Sequence, residues 1–79
     1  MHTCKGMKNV AGARIREARK NRLMTQVELA TKLQNRSVNL ESGSICRIEA
    51  GTRLVTDFEL MVFSKVLDVP VEWLLGMQN

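Results

Sequence analysis

Lysine and arginine are the residues of this 79-residue sequence with the clearest chemistry, and they are concentrated in its first half. Residues 1–36 hold nine cationic side chains and two glutamates, a net charge of +7, whereas residues 37–79 have a net charge of −3. Cations concentrated in this way are suited to bind a polyanion, most simply a nucleic acid. The other interpretation of the same charges is a basic helix face that is only solvated.

Carboxylates, thiols and a histidine offer other kinds of chemistry, but none of them forms a pattern typical of a catalytic or metal site. Glu49 and Glu59 are available for acid–base work, yet no nucleophile–base set, glycine-rich phosphate loop or metal-binding spacing accompanies them. His2 is the only histidine, too few for a histidine-based zinc site. Cys4 and Cys46 lie outside any C-x-x-C motif, so we expect two reduced thiols rather than a disulfide. The sequence predicts no enzyme, no cofactor and no metal.

The length and composition are those of one small globular domain. Hydrophobic residues are 44% of the chain and charged residues 25%, and no apolar run approaches the ~18–20 residues of a membrane helix. The N-terminal residues lack the apolar core of a signal peptide. We therefore expect a cytoplasmic protein with no membrane partner, with a flexible tail over residues 1–9 and a single domain over residues 10–79.

Two capping boxes mark the starts of predicted helices. In each, a threonine hydroxyl and a glutamate three residues later can satisfy two free backbone N–H groups. The pair Thr25 and Glu28 begins a second helix that ends near residue 33, and the pair Thr56 and Glu59 begins a fourth helix. The apolar positions expected to face the core are Val27, Leu29, Ala30 and Leu33 in the second helix and Leu60, Phe63 and Leu67, with Ser64, in the fourth.

Helical periodicity and helix-ending residues predict the remaining elements. A first helix is expected over about residues 10–23, and a third over residues 42–50, where Gly51 ends it. A polar connection over residues 34–40 separates the second helix from the third. Pro70 begins a fifth helix and Gly76 stops it. With no alternating strand pattern, the sequence predicts an all-α domain of five short helices around an aliphatic core.

The apolar and polar positions of these helices also form a recognisable pattern. The matching segments are Ile15-x-x-x-Arg19, Met24-Thr25-Gln26-x-Glu28-Leu29-Ala30-x-x-Leu33, Ile45-x-Arg47-Ile48-Glu49-x-Gly51 and Leu67-x-Val69-x-x-x-x-Leu74-Leu75-Gly76. Together they resemble the lambda repressor/Cro-type (XRE-like) helix-turn-helix family over about residues 10–76. The resemblance implies a compact five-helix lambda repressor-like DNA-binding domain, whose helix-turn-helix consists of the second and third helices.

In that family the third helix enters the major groove of DNA. The resemblance places Ser42, Gly43 and Arg47 at positions whose side chains face bases. The planar guanidinium of Arg47 suits guanine O6 and N7 or a phosphate, and the two small residues permit close approach. Cys46 matches a position that faces either the groove or the DNA backbone.

Four further residues are expected at the DNA backbone. Gln26 matches the family's phosphate-contacting glutamine, at a helix start whose free N–H groups also suit a phosphate oxygen. Arg53 matches another backbone contact, and Ser44 is assigned to the same group. Arg36, in the connection before the third helix, is either a phosphate contact or a solvated loop charge.

The resemblance also assigns a structural pair and reveals two departures from the family. Arg19 and Glu49 match a partly buried ion pair between the first and third helices, which removes Arg19 from the DNA contacts. Relatives usually carry glycine where this chain has Leu23, because the first turn needs a permissive residue. Residues 34–40 make the turn of the helix-turn-helix about five residues longer than usual.

A homodimer is expected because two-fold pairing doubles the DNA contacts and allows a palindrome to be read. Phe58, Met61 and Val62 lie largely outside the predicted core stripe of the fourth helix, and Trp73 occupies a position that relatives often leave polar. These four residues are the predicted dimer interface. Alternatively, the tail or the long turn covers them, or Trp73 completes the core of the monomer.

These observations predict a sequence-specific transcriptional regulator that binds a palindromic operator in double-stranded DNA as a homodimer. Small relatives include phage repressors, restriction–modification controllers and antitoxins, and the sequence does not choose among them. The alternative is a protein-interaction module of the same fold that does not read DNA. Only phosphate neutralisation gives binding a steep dependence on salt, so a salt titration separates the two.

Overall fold

The computed structural model describes residues 6–77 and has five α-helices in that part of the chain: α1 Gly12–Asn21, α2 Gln26–Gln34, α3 Ser42–Ala50, α4 Asp57–Leu67 and α5 Val71–Leu74. No strand occurs among these residues. The predicted all-helical class with five helices is confirmed. Within the described range, every helix is too short or too polar to cross a membrane. Residues 1–5 of the predicted tail lie outside the described residues.

Side-chain caps begin α2 and α4, as the two capping boxes predict. The Thr25 hydroxyl accepts a hydrogen bond from the Glu28 backbone N–H, and the Glu28 carboxylate accepts one from the Thr25 N–H. Thr56 and Glu59 make the same reciprocal pair at the start of α4. Each box satisfies two donors that the helix itself leaves free, and losing such a cap costs about 1 kcal/mol.

One apolar core lies between the helices. α1 packs against α3, α4 and α5, and α2 packs against α3 and α4. The buried side chains are Ala11, Ile15, Ala18, Leu29, Ala30, Leu33, Val38, Leu40, Ile45, Ile48, Val62, Phe63, Leu67 and Leu74. The expectation for Val27 is wrong, because its side chain is 63% exposed on the solvent side of α2.

The backbones of α1 and α3 approach each other most closely at Gly12. A Cβ atom at this position would collide with the carbonyl oxygen of Ile48, so only glycine lets the two helices meet here. α3 then ends at Gly51, which has φ +82° and a backbone N–H that donates to the Ile48 carbonyl at 3.0 Å. The two glycines fix where α3 lies and where it stops.

Asn9 attaches the start of the chain to the end of α3. Its Oδ1 accepts hydrogen bonds from the backbone N–H groups of Ala11 at 2.9 Å and Gly12 at 2.6 Å. Its Nδ2 donates to the carbonyl oxygens of Ile48 at 3.0 Å and Arg53 at 2.8 Å. The contacts of the helical domain therefore begin before residue 10, which the sequence analysis takes as the domain boundary.

The long turn between α2 and α3 is anchored by apolar side chains. The Val38 N–H donates to the Leu33 carbonyl at 3.0 Å, and the Gln34 amide donates to the Leu40 carbonyl at 3.1 Å. Val38 and Leu40 are both buried, whereas the sequence analysis treats this connection as polar. The turn therefore contributes to the core and holds α3 at a fixed distance from α2.

Leu23 closes the turn between α1 and α2 in a left-handed conformation, with φ +55°. Its side chain is 91% exposed, so no packing compensates for the unfavourable backbone. The turn is held instead by backbone hydrogen bonds, from the Leu23 N–H to Lys20 at 2.9 Å and from the Met24 N–H to Arg19 at 3.1 Å. A residue with a Cβ atom loses about 1–2 kcal/mol in this conformation, and glycine does not.

Leu23→Gly should therefore raise the free energy of unfolding by about 0.5–1 kcal/mol, the relief of strain less the entropy that glycine adds to the unfolded chain. Urea unfolding followed by circular dichroism measures the change. Leu23→Ala is the matched control, because it removes the same exposed side chain but keeps the Cβ atom. Equal stabilisation by alanine and glycine would contradict the role assigned to the backbone.

Candidate nucleic-acid interface

Arg19 and Glu49 form a bidentate ion pair between α1 and α3, at the positions that the family resemblance assigns to such a pair. Arg19 Nε lies 2.7 Å from Glu49 Oε2, and Arg19 Nη2 lies 3.0 Å from Oε1. The two side chains are only 10% and 3% exposed. Hydrogen bonding to Glu49 raises the pKa of Arg19 and outweighs burial, which lowers it. The guanidinium therefore stays charged at neutral pH and is committed to the fold.

The ion pair also fixes the elements around it. Arg19 Nη1 donates to the Met24 carbonyl at 2.8 Å, just before α2 begins. The Gln26 amide, in the first turn of α2, donates to Glu49 Oε1 at 3.1 Å. Because an amide nitrogen carries two hydrogens, Gln26 keeps one donor for another partner. The start of α2 is thus oriented by a carboxylate of α3.

α3 presents four exposed residues, Gly43, Cys46, Arg47 and Ala50, on the side opposite the buried Ile45 and Ile48. The Cys46 thiol is free. Beside Gly43 there is open space, with a guanidinium nitrogen of Arg47 as the nearest atom at 3.7 Å from where a Cβ would stand. This face therefore consists of small residues and one long cation.

Ser42 and Ser44, the other predicted contacts of α3, are half-buried. The Ser44 hydroxyl accepts a hydrogen bond from Arg47 Nη2 at 3.3 Å. This bond links a predicted backbone contact to the predicted base contact and holds the guanidinium along the helix. The structure thus brings Ser44 and Arg47 together on the surface of α3.

Arg53 is already engaged within the protein. Its Nη1 donates to the Leu54 carbonyl at 2.8 Å and to Glu59 Oε1 at 3.3 Å, and its Nη2 lies 3.4 Å from Glu59 Oε2. These bonds use three of the five N–H groups of the guanidinium, so the others are left for a phosphate while Glu59 also caps α4. The family pattern gave no sign of the pairing between Arg53 and Glu59.

Arg36 lies apart from these residues, exposed in the long turn. It lines an open groove with Lys32 and Lys65. Among residues 6–77, no carboxylate forms an ion pair with any of these three cations. Arg36 is thus available to an anion, and both interpretations of its role stay open.

Arg16 is a candidate that the sequence analysis missed. It is exposed on α1 and lines a shallow groove with Gln26, Cys46 and Ala50, beside the buried Glu49. The available signal was its position on α1, because Arg16 and Lys20 are four residues apart on the side that faces away from the core. Its guanidinium adds a cation where α1, α2 and α3 meet.

The predicted dimer residues divide into two groups. Phe58 and Met61 are 50% and 45% exposed on α4. The assignment of Val62 is wrong, because it is 4% exposed and belongs to the core. Trp73 is half-buried, packs against the core and has the Arg14 guanidinium carbon 5.7 Å from its ring centroid, so it serves the monomer. Leu54, three residues before α4, is exposed as well and was not predicted as an interface residue.

Comparisons of the chain with models of known families, with curated proteins and with solved structures gave no match. In the part of the chain that the structure describes, no three His, Cys, Asp or Glu residues lie close enough together to hold a metal ion. The function is therefore inferred from the geometry of α2 and α3 and from the residues that they expose.

Glu49→Ala should lower the free energy of unfolding by about 3–5 kcal/mol, because it leaves the Arg19 guanidinium buried without its partner. Arg19→Met combined with Glu49→Leu removes both charges and should recover most of that loss. Urea unfolding measures both variants.

Asp68→Asn is the control for this comparison, since it breaks the exposed Arg22–Asp68 pair of 3.2 Å and should change stability by no more than about 1 kcal/mol. If the double variant were as unstable as Glu49→Ala, the buried charge would not be the cause of the loss.

Proposed function

We propose that the chain is a sequence-specific DNA-binding transcriptional regulator of the lambda repressor/Cro type, such as a phage repressor, a restriction–modification controller or an antitoxin. In this proposal α2 and α3 are the two helices of a helix-turn-helix. The observation that carries it is the exposed face of α3, formed by Gly43, Cys46 and Arg47, beside the start of α2. Small residues around a single arginine fit a helix that must approach base edges closely.

Arg47 is the base-reading residue of the proposal. Its side chain is exposed, and its Nη2 donates to the Ser44 hydroxyl at 3.3 Å. The planar guanidinium carries pairs of parallel N–H groups. Guanine offers the acceptors O6 and N7 with the matching spacing in the major groove. Ser42 and Gly43, at the leading end of α3, allow the backbone to approach the same bases.

The phosphate contacts come from the start of α2. Gln26 lies in the first turn of α2, where backbone N–H groups have no partner within the helix. Its backbone N–H and its second amide hydrogen are both donors at this helix start. Donors at a helix N-terminus favour a phosphate oxygen, which fixes the register without reading sequence. Arg16 and Ser44 add to this contact, as do the N–H groups of Arg53 that its bonds to Leu54 and Glu59 leave free.

The proposal includes a homodimer on a palindromic operator. Phe58 and Met61 are three residues apart on α4, so they lie on one face of the helix, and Leu54 is exposed just before it. Burying this exposed apolar surface in a two-fold interface favours association. Val62 is not part of the interface, because it is buried in the core, and Trp73 packs partly buried against that core.

Selection from a random DNA library identifies the operator, and Arg47→Ala should then weaken operator binding by about 1–3 kcal/mol and relax the preference at one base pair. Binding to random duplex should change much less. Lys65→Ala is a matched control, since it removes one charge from α4, which packs mainly on α1, α2 and α5. Equal losses for Arg47→Ala on operator and random duplex would contradict base reading.

Salt dependence tests DNA binding itself. With about three to five phosphates neutralised by the lysines and arginines of each protomer, log K for random duplex should fall with log salt with a slope of about −3 to −4.5 per protomer. Gln26→Ala should weaken binding to all sequences alike, because it removes a phosphate contact. A slope near zero would instead favour the protein-interaction module.

Dimer formation is tested by sedimentation equilibrium at tens of micromolar protein. The wild type should form dimers, and Phe58→Ser with Met61→Ser should be monomeric, since the pair removes apolar area from one helix face. The matched control is Val10→Ser, which replaces an exposed apolar side chain elsewhere. A wild type that is monomeric both alone and on operator DNA would overturn the dimer.

A further inference from the structure

We propose that the solvent side of α2 is a docking surface for an acidic segment of another protein that carries a large apolar side chain. We call this surface the α2 groove and define it by Leu23, Val27, Thr31, Lys32 and Asn35, which line one open depression. The proposal does not depend on DNA binding, because neither Gln26 of α2 nor Glu49 of α3 lines the α2 groove.

The floor of the α2 groove is aliphatic and exposed. Leu23 and Val27 are 91% and 63% exposed, and they are the first two of three residues spaced by four, followed by Thr31. Leu23 lies in the turn before α2 and Val27 in its first turn, and both line the same depression, into which a partner's apolar side chain can be buried. Neither side chain contributes to the core of the monomer.

Leu23 is in a conformation that does not favour the folded monomer. Its backbone is left-handed and its side chain is in water, so glycine would serve both stability and solubility better. A strained, exposed leucine is explained by a contact that uses its side chain. The surrounding hydrogen bonds, including Arg19 Nη1 to the Met24 carbonyl at 2.8 Å, hold it in place before any partner arrives.

The charges beside this apolar strip are positive. Lys32 belongs to both the α2 groove and the adjoining groove, which contains Lys65. Among residues 6–77 neither lysine has an ion-pair partner. The one carboxylate of the rim, Glu28, is bonded to the Thr25 N–H. Charge complementarity therefore selects an acidic partner.

Two other occupants fit the α2 groove less well. Nucleic acid bases bind by stacking on aromatic side chains, and the α2 groove offers only aliphatic ones. A second copy that used the same surface would place both copies of Lys32 in one interface, because a two-fold interface pairs each patch with itself. Two like charges in one interface disfavour that pairing.

The experiment is a selection of peptides from a random twelve-residue display library on the immobilised full chain. Clones retained by the wild type but not by the double variant Leu23→Gly, Val27→Ser are sequenced. We expect enrichment of Asp and Glu together with one Leu, Phe, Ile or Trp. A synthetic peptide of the enriched sequence is then titrated by fluorescence anisotropy.

Leu23→Gly alone should lower the affinity for this peptide by about tenfold or more, as expected when the burial of one leucine side chain is lost. Unfolding does not explain such a loss, because the glycine variant should be more stable than the wild type. The double variant Lys32→Glu, Lys65→Glu should also bind the peptide more weakly. A peptide in which lysine replaces the acidic residues should bind this variant better than it binds the wild type.

Three results would overturn the proposal. One is a selection without acidic enrichment or without an apolar residue. Another is weaker binding to random duplex DNA by Lys32→Glu with Lys65→Glu at the same protein stability, by more than twice the effect of Lys20→Glu, which changes the net charge by half as much. That result would assign the lysines to nucleic acid. The third is dissociation of a wild-type dimer by Leu23→Gly, which would assign the α2 groove to a second copy. None of these results bears on base reading by Arg47.

Discussion

The buried ion pair between Arg19 and Glu49 is the constraint on which the arrangement of α1, α2 and α3 depends. A charge removed from water is tolerated only when hydrogen bonds satisfy it, and among residues 6–77 no buried side-chain polar atom lacks a hydrogen-bond partner. The Met24 carbonyl and the Gln26 amide, at the start of α2, supply further hydrogen bonds to the ion pair. Satisfying one guanidinium and one carboxylate fixes the end of α1, the start of α2 and the inner side of α3 together.

Local signals in the sequence were sufficient to predict the helices. Both capping boxes are present, and α3 occupies the predicted residues 42–50, because a cap, a period and a C-terminal glycine act within a few residues of each other. Val62 was misassigned for the opposite reason. The width of the buried face of α4 depends on its packing against α1, α2 and α5. A stripe of apolar residues in the sequence of one helix carries no information about that packing.

The candidate site was less accessible to prediction than the fold. Motif matching identified Gln26 and Arg47 but gave no information about their partners, and the pairing of Arg53 with Glu59 depends on a turn conformation. Asn9 was missed because two of its acceptors lie 39 and 44 residues further along the chain. Val38 and Leu40 sit in a turn without periodicity, so no pattern marked them as core residues.

The long-range hydrogen bonds of Asn9 also affect when α1 can pack in the domain during synthesis. Its amide can cap α1 as soon as that helix leaves the ribosome, but its two carbonyl acceptors belong to Ile48 and Arg53 and emerge much later. Until then the α3 backbone against which Gly12 packs has not been synthesised. α1 therefore cannot dock on α3 until more than half of the polypeptide has been synthesised.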